Sequence, residues 1–428
     1  MARILFLVDH KHRDLPGLAL IGYHLKKANH DVRFRALWEE EPLFSEFNPE
    51  VLILPKANFD NISLQKWKDQ GRKLIVVDTE GNIQAKDYKL KIPVKPHVYF
   101  FWNQHTLDIH RDILEPFGTA LKLVGSPRLD FYNTKYSGIY SSRQEVLSEL
   151  KLLDSQKIIT IATACQEAHK SDKEIQSQAK KRGQVLEKSL DYLEYVENMK
   201  DLFEFTKKMV VYILDKYEDI SIVIKPHPNE SIIRWNEFIS SLNSNRVKLF
   251  VGKTVDFLLK ISDLAISHNA CNTSFEAMLF NVPSVQVHTH RTVGFFEEDH
   301  LNVGDGSIRE VKDIDLFINR FLYHNYERSS DTDAFLEKYI EKYFYKFDGN
   351  RAKEYAHDIN NYIKENPVRI RHSLKDRIKK IFTKPTVSIE PEPVDKNPTL
   401  IDPKGRYDNR MKIGDEQDWY DRFKALKI

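Results

Sequence analysis

The chain has 428 residues, of which 41% are hydrophobic and 30% are charged, and this length allows two α/β domains and an appendage. A formal net charge of +2 gives no overall attraction to nucleic acid. Two cysteines, Cys165 and Cys271, exclude a disulfide framework and an all-cysteine zinc site. No stretch reaches the roughly 18 apolar residues of a membrane span, and the apolar run after Met1 is too short for a signal peptide. We therefore expect a reduced, cytoplasmic protein.

Short apolar runs alternate with helical segments in the first third of the chain. The runs lie at residues 3–8, 51–54, 73–78, 97–102 and 120–124, and residues 31–36 alternate between polar and apolar like a strand. Continuous apolar runs of this length are typical of strands in parallel sheets, and their alternation with helices indicates βαβ units. The pattern predicts a Rossmann-like domain over residues 1–140, followed by a linker helix at 141–156.

A second α/β series follows the linker. Its predicted strands lie at residues 158–162, 220–224, 247–250, 264–267 and 284–288, with a long helix at 185–216 before the second strand. Helices at 314–323, 333–345 and 351–365 are expected to close this domain. We therefore predict a second Rossmann-like domain over residues 157–350 and a closing helix at 351–367.

The character of the sequence changes after Pro367. Residues 369–384 contain seven Lys/Arg and one Asp, and the stretch 369–382 places Ile370, Leu374 and Ile378 on one helical face. This pattern favours an interfacial helix that docks on anionic lipid or on a partner, although its apolar stripe could also pack on the second domain. A proline-rich linker at 385–404 and a short amphipathic helix at 415–428 complete the predicted tail of residues 368–428.

The sharpest local motif is Lys225-Pro226-His227-Pro228, directly after a predicted strand. The flanking prolines restrict the backbone and hold the imidazole just beyond the strand end. Such a histidine can donate to a phosphate or protonate a leaving group, and Lys225 adds positive charge. The alternative is a strand-to-loop turn whose histidine only caps a helix.

The block from Ser267 to Glu276 offers hydroxyl and amide groups at the start of a predicted helix. Because helix N-termini attract anions, this block predicts a phosphate site. Glu276 falls in the first turns, where a carboxylate can bind ribose hydroxyls; the alternative is that these residues only cap the helix. The candidate donor-binding residues are Lys225, His227, His268, Asn269, Asn272, Thr273, Ser274 and Glu276.

Three polar segments of the first half contain carboxylates near predicted strand ends. They are Asp9-His10-Lys11-His12-Arg13-Asp14, Asp78-Thr79-Glu80-Gly81-Asn82 and Ser126-Pro127-Arg128-Leu129-Asp130. A carboxylate there could act as base or nucleophile, although solvated loops and a hinge turn would explain the same residues. With His227, the candidate catalytic residues are Asp9, Asp14, Glu80 and Asp130.

Other nucleotide and metal chemistries find no motif. The sequence has no P-loop and no G-x-G-x-x-G turn, which argues against ATP hydrolysis and dinucleotide redox chemistry. The spacing of His288, His290, Glu297 and Glu298 matches no zinc motif. We predict neither a metal nor a cofactor, with the nucleotide entering as part of a substrate.

These motifs resemble a known group of proteins. Residues 8–14, 78–81, 125–130, 225–228 and 267–283 are similar to the bacterial surface carbohydrate biosynthesis protein family, related to capsule and lipopolysaccharide Kdo transferases, and the layout resembles GT-B glycosyltransferases. The His-Pro element is also similar to that of polysialyltransferases and CDP-glycerol or CDP-ribitol phosphate transferases. The resemblance covers roughly residues 1–350 through short motifs and implies a CMP- or CDP-linked donor.

The resemblance also implies roles for individual residues. Lys225 and His227 would contact the donor phosphate, and Glu276 would bind the ribose. Asn269, Thr273 and Ser274 would hold phosphate or cytidine. A configuration-retaining Kdo transferase would use a first-domain carboxylate as nucleophile. One departure is His268, because related phosphate transferases often have an Asp-Tyr pair at this point.

Three functions follow as hypotheses. The first is a metal-independent glycosyltransferase that transfers an acid sugar such as Kdo from a CMP donor to a glycan or lipid-linked acceptor at the inner membrane surface. The second is transfer of a polyol phosphate from CDP-glycerol or CDP-ribitol. The third is a non-catalytic scaffold of a polysaccharide assembly complex, which predicts a degenerate donor site.

Overall fold

The computed structural model describes most of the chain. The described residues are 1–37, 47–57, 62–81, 92–183, 192–269, 271–291, 296, 298–324, 326–370, 411 and 414–428. The predicted linker at 385–404 lies outside these ranges, as do the predicted interfacial helix apart from Arg369 and Ile370, and the motif residues Asn82 and Glu297.

The first domain is built on a parallel sheet of six strands. Their order across the sheet is β2-β1-β3-β4-β5-β6, and all neighbouring pairs run parallel. The short apolar runs form these strands because both faces of the sheet are covered, so that β3, for example, is buried along its whole length. The strands are Arg3–Val8 (β1), Asp31–Ala36 (β2), Val51–Leu54 (β3), Lys73–Val77 (β4), Val98–Phe101 (β5) and Ala120–Leu123 (β6).

The second domain repeats this architecture. Its strand order is β12-β11-β10-β7-β8-β9, again all parallel. Five of the strands fall where the sequence predicts them, while the three-residue strand β12 is too short to be predicted from its apolar content. The strands are Lys157–Ala162 (β7), Ile220–Lys225 (β8), Val247–Leu249 (β9), Leu264–His268 (β10), Ser284–Val287 (β11) and Gly306–Ile308 (β12). The predicted α/β fold of two Rossmann-like sheets is confirmed.

Helices cover both sheets. Within the described residues they are Lys11–Lys27 (α1), Ile62–Asp69 (α2), Gln104–Leu114 (α3), Arg143–Leu150 (α4), Asp172–Gly183 (α5), Tyr192–Lys216 (α6), Ile232–Ser241 (α7), Asp256–Leu259 (α8), Asn272–Leu279 (α9), Glu298–Leu301 (α10), Ile314–Leu322 (α11), Ser330–Phe344 (α12), Arg351–Glu365 (α13) and Asp415–Ala425 (α14). Among the described residues, no helix combines the length and apolar character that crossing a bilayer requires.

The helix α13 packs on the first domain. The sequence pattern predicts, in contrast, that this helix closes the second domain. Its buried residues Tyr355 and Ile359 belong to the same apolar cluster as Phe6 and Leu18. The chain therefore crosses between the domains twice, before β7 and again between α12 and α13. The single apolar face of α13 could equally have been paired with either domain on sequence grounds alone.

The last helix, α14, also packs on the first domain. Tyr420 and Phe423 are buried in its core beside Tyr23, and Lys11 forms an ion pair with Asp415 at 3.0 Å. Trp419 packs against an apolar cluster of the second domain as well. A short amphipathic helix is what the sequence predicts here, but its position depends on contacts more than 390 residues away along the chain.

Candidate active-site cleft between the domains

The carboxyl ends of both sheets open onto one cleft with a volume of about 650 Å³. The loops after β1, β4 and β5 form one wall, and the loops after β7, β8 and β10 form the other. This is where ligands bind in open α/β sheets. Eight of the predicted site residues line the cleft: Glu80, Lys225, His227, His268, Asn269, Asn272, Thr273 and Glu276. Four others, Asp9, Asp14, Asp130 and Ser274, are not among its lining residues.

The His-Pro loop projects into the cleft from the end of β8. The Nδ1 atom of His227 accepts a hydrogen bond from the backbone N–H of Asn229 at 3.2 Å, so the neutral ring carries its proton on Nε2. Burial lowers the pKa of Lys225 to about 8, because desolvation disfavours the ammonium. The loop thus combines a fixed imidazole N–H donor with an amine that a bound anion would keep charged.

Glu230 holds this loop in place and is not among the site residues predicted from the sequence. Its buried carboxylate accepts hydrogen bonds from the Cys165 N–H at 2.7 Å, the His227 N–H at 3.1 Å and the Trp235 indole at 2.7 Å. The Thr163 hydroxyl also contacts both oxygens. Burial raises the pKa of Glu230, while these hydrogen bonds oppose the rise. The sequence feature that could have identified Glu230 is its position three residues after His227, just before a helix.

The turn after β10 brings the start of α9 to the cleft. Asn269 adopts a left-handed backbone conformation with φ of 52°, which asparagine tolerates better than most residues. Cys271 is the N-cap and makes no side-chain capping hydrogen bond, and Asn272 and Thr273 follow it along the cleft wall. The positive end of the helix therefore borders the cleft, as an anion site requires. Ser274 is fully buried and hydrogen-bonded to Ser267 at 2.6 Å.

His268 forms part of the cleft floor but is buried and neutral. Its Nδ1 accepts from the Ala164 N–H at 3.1 Å, and Nε2 lies 2.7 Å from the Thr206 hydroxyl oxygen. Since that hydroxyl donates to the Leu202 carbonyl, His268 Nε2 is the donor of the pair. Burial lowers the pKa of His268 to about 3. These contacts give it a structural role that differs from the predicted donor contact.

The buried His268 predicts acid sensitivity. The unfolded chain takes up a proton near the ordinary pKa of 6.5, whereas the folded protein resists it until about pH 3. The free energy of unfolding is therefore expected to fall by about 1.4 kcal/mol per pH unit below pH 6.5 on this account. Urea unfolding from pH 7 to pH 4 should show a shallower dependence for His268→Gln than for the wild type. Equal slopes would contradict the prediction.

Glu276 lines the cleft and is paired across it. The carboxylate is almost fully buried and forms an ion pair with Arg128, which comes from the first domain. Arg128 lies in the short 3₁₀ helix that follows Gly125, at the end of the first sheet. The carboxylate that the sequence predicts to bind ribose is therefore already paired with a cation from the opposite wall.

Three of the predicted carboxylates surround Arg13 in the first domain. Arg13 donates to Asp14 and to Glu80, and Asp9 pairs with Lys56 at 2.7 Å. Asp9 and Asp14 are buried behind the cleft surface, whereas Glu80 is half exposed on it. The Arg13 guanidinium lowers the pKa of Glu80. Glu80 is therefore ionised and borders the cleft, as a nucleophile or charge-stabilising group must be.

Asp130 lies apart from the cleft lining and holds the start of α13. Its two oxygens accept from the Arg351 N–H at 2.9 Å and the Ala352 N–H at 2.8 Å. Burial raises the pKa of Asp130 to about 7, although both hydrogen bonds oppose the shift. The carboxylate thus caps a helix N-terminus across 221 residues of chain. This is a structural role, different from the catalytic one that the sequence suggested.

Asp78 is a further carboxylate that lines the cleft. It begins one of the three polar segments described above but is not among the predicted catalytic residues. It accepts from the Tyr99 hydroxyl at 2.8 Å and the Glu80 N–H at 2.9 Å. Burial raises the pKa of Asp78 to about 6. Its partners are neutral, in contrast to those of Glu80, so the two neighbouring carboxylates have pKa values shifted in opposite directions.

Two Rossmann-like domains that face each other across a ligand-sized cleft define the GT-B architecture. Solved structures with this fold are similar to the chain. The wall teichoic acid polymerase TagF, in a structure soaked with CDPG, is 13% identical, with a TM-score of 0.55 over 86% of this chain and 90% of that one. MnaA of S. aureus, solved with UDP, is 12% identical, with a TM-score of 0.52 over 85% of this chain and 97% of that one.

A third similar structure is a putative UDP-N-acetylglucosamine 2-epimerase from Listeria monocytogenes. It is 11% identical, with a TM-score of 0.50 over 87% of this chain and 99% of that one. At these identities the likeness concerns the fold. No protein-family model matches the sequence, and no curated protein matches it.

Proposed function

We propose that the chain is a transferase of surface-glycopolymer biosynthesis that takes its group from a cytidine-nucleotide donor. The observation that carries this proposal is the second-domain wall of the cleft. There Lys225, the Nε2–H of His227 and the start of helix α9 converge from two neighbouring loops. Such a set of donors suits a phosphate and would stabilise charge on a departing nucleotide.

The opposite wall supplies the second half of the chemistry. Glu80 borders the cleft as an ionised carboxylate, so it is the predicted first-domain nucleophile or stabilising group that the geometry favours. Asp9 would act through Arg13 and Lys56, which fix the charge pattern around Glu80. A CMP-linked acid sugar such as Kdo is one donor that this arrangement fits.

A CDP-linked polyol phosphate is the second candidate. The fold similarity includes TagF in a structure soaked with CDPG, and the His-Pro element resembles that of polyol-phosphate transferases. Both candidates place the cytidine phosphate against Lys225 and His227. Product analysis distinguishes them, since only a polyol-phosphate transferase moves phosphorus to the acceptor.

Nucleotide protection of Cys271 tests the donor site. The chain has two cysteines, of which Cys165 is fully buried and Cys271 is partly exposed in the cleft. N-ethylmaleimide should therefore modify Cys271 alone in the folded protein. We expect CMP and CDP to slow this modification and raise the melting temperature, while His227→Ala loses both effects.

A matched variant controls for any general effect of losing an imidazole. His324 is exposed in the same domain and is not part of the cleft lining, so His324→Ala should behave like the wild type. Protection by UDP in place of cytidine nucleotides would overturn the cytidine assignment. Protection by no nucleotide would overturn the donor site and favour the scaffold hypothesis.

A further inference from the structure

A second, smaller pocket adjoins the His-Pro loop and lies between the domains. Its volume is about 40 Å³, against the roughly 10–15 Å³ that a single water needs. His10 and His12 reach it from the first domain, and Lys225, His227 and Lys253 reach it from the second. The space suits a compact group rather than a nucleoside.

Two of the three imidazoles, those of His10 and His227, are fixed as hydrogen-bond donors. His10 accepts from the Arg13 N–H through Nδ1 at 3.1 Å, as the N-cap of α1. His227 accepts from the Asn229 N–H through its own Nδ1. Each ring therefore carries its proton on Nε2, one on each side of the domain boundary. The ring of His12 lies 6.1 Å from that of His10.

The charge of the pocket lining is positive. The lining includes the carboxylate of Glu230, which already accepts hydrogen bonds from Cys165, His227 and Trp235. Lys253 pairs with Glu149 at the surface, where both side chains are at least one-third exposed. An exposed pair of this kind contributes little free energy, so a bound anion can compete for the ammonium.

We infer that this pocket is an anion subsite that binds one phosphate group between the domains. The inference rests on the proposed function, because the donor phosphate at Lys225 and His227 would lie beside it. The shared chemistry is a phosphate held by imidazole N–H groups and ammonium. Its source is either the distal phosphate of a nucleoside diphosphate or a phosphate carried by the acceptor.

Inorganic phosphate is the probe. Calorimetric titration of the full chain saturated with CMP should show one phosphate site. Both His12→Ala and Lys253→Ala should lower the affinity for phosphate by roughly tenfold, the usual scale for losing one charge-assisted contact. Both should lower the affinity for CMP by less. Glu149→Ala removes the competing carboxylate and should leave phosphate affinity unchanged or higher.

Comparison of CMP with CDP identifies the source. If the subsite holds the distal donor phosphate, CDP binds at least tenfold tighter than CMP, excludes inorganic phosphate, and loses its advantage in His12→Ala. If the subsite holds an acceptor phosphate, CMP and CDP bind alike and inorganic phosphate binds to both complexes. Either result supports the inference.

The inference and the donor assignment fail separately. Tight CMP binding with no phosphate site, and with no CDP advantage that depends on His12, would overturn the subsite alone. If CMP does not bind, phosphate is titrated into the nucleotide-free protein instead. Binding that His12→Ala weakens would then support the subsite, and the lack of such binding would overturn it.

Discussion

Replacing Glu230 with alanine is expected to lower the free energy of unfolding by about 3–5 kcal/mol. The substitution leaves the buried N–H groups of Cys165 and Trp235 without their acceptor, together with the N–H of His227. It also opens a cavity beneath the His-Pro loop. Urea unfolding monitored by tryptophan fluorescence measures the loss, and Cys271 protection reports the accompanying loss of nucleotide binding.

Two further variants test whether the loss of stability comes from the buried carboxylate of Glu230. Glu230→Gln keeps one acceptor oxygen and should lose less stability than the alanine variant. Glu237 lies on α7, the helix that follows Glu230, and forms an exposed pair with Arg234, so Glu237→Ala should change stability by less than about 0.5 kcal/mol. A Glu230→Ala variant as stable as Glu237→Ala would refute the proposed role.

Breaking the Arg128–Glu276 pair on one side is expected to cost about 3–5 kcal/mol, because it leaves a buried carboxylate uncompensated. Arg128→Met removes the guanidinium while keeping much of its apolar stem, and its partner Glu276 is only 2% exposed in the wild type. The double variant Arg128→Met/Glu276→Gln removes both charges. It should therefore be more stable than Arg128→Met alone.

A double-mutant cycle tests this pair directly. The coupling free energy between Arg128 and Glu276 should exceed about 1 kcal/mol, since the two residues are in contact across the cleft. The pair Arg234–Glu237, with both side chains 60% exposed, provides the matched control and should show a coupling near zero. Additive effects of the Arg128 and Glu276 substitutions would show that the pair does not join the domains.

Much of the fold could be predicted because it depends on local patterns. Runs such as Val51–Leu54 and residues 222–224 are uninterrupted apolar segments, which are typical of strands in a covered parallel sheet. Parallel strands place their carboxyl ends together, so the polar segments that follow them had to converge. The encounter of the His-Pro loop with the start of α9 follows from this rule.

The partners of individual side chains could not be predicted in the same way. Asp130 and Glu276 both lie a few residues beyond a predicted strand, in polar segments that give no sign of burial. One caps a helix 221 residues away, and the other pairs with an arginine 148 residues away. His268 was expected to contact the donor as part of the polar block from Ser267 to Glu276, yet its side chain is enclosed by Ala164 and Thr206. Alternation along a strand gives the face of a residue but not what covers that face.

The anchoring of the C-terminal region on the first domain has a mechanical consequence. Val368 and Met411, at either side of residues 371–410, both pack against the first-domain core. The residues that flank this segment are therefore both held on one body, the first domain. A force applied to the segment would act first on the first domain and would reach the second domain through Trp419. Rotation of the second domain, which carries the His-Pro loop, would then strain the contact of Trp419 with that domain.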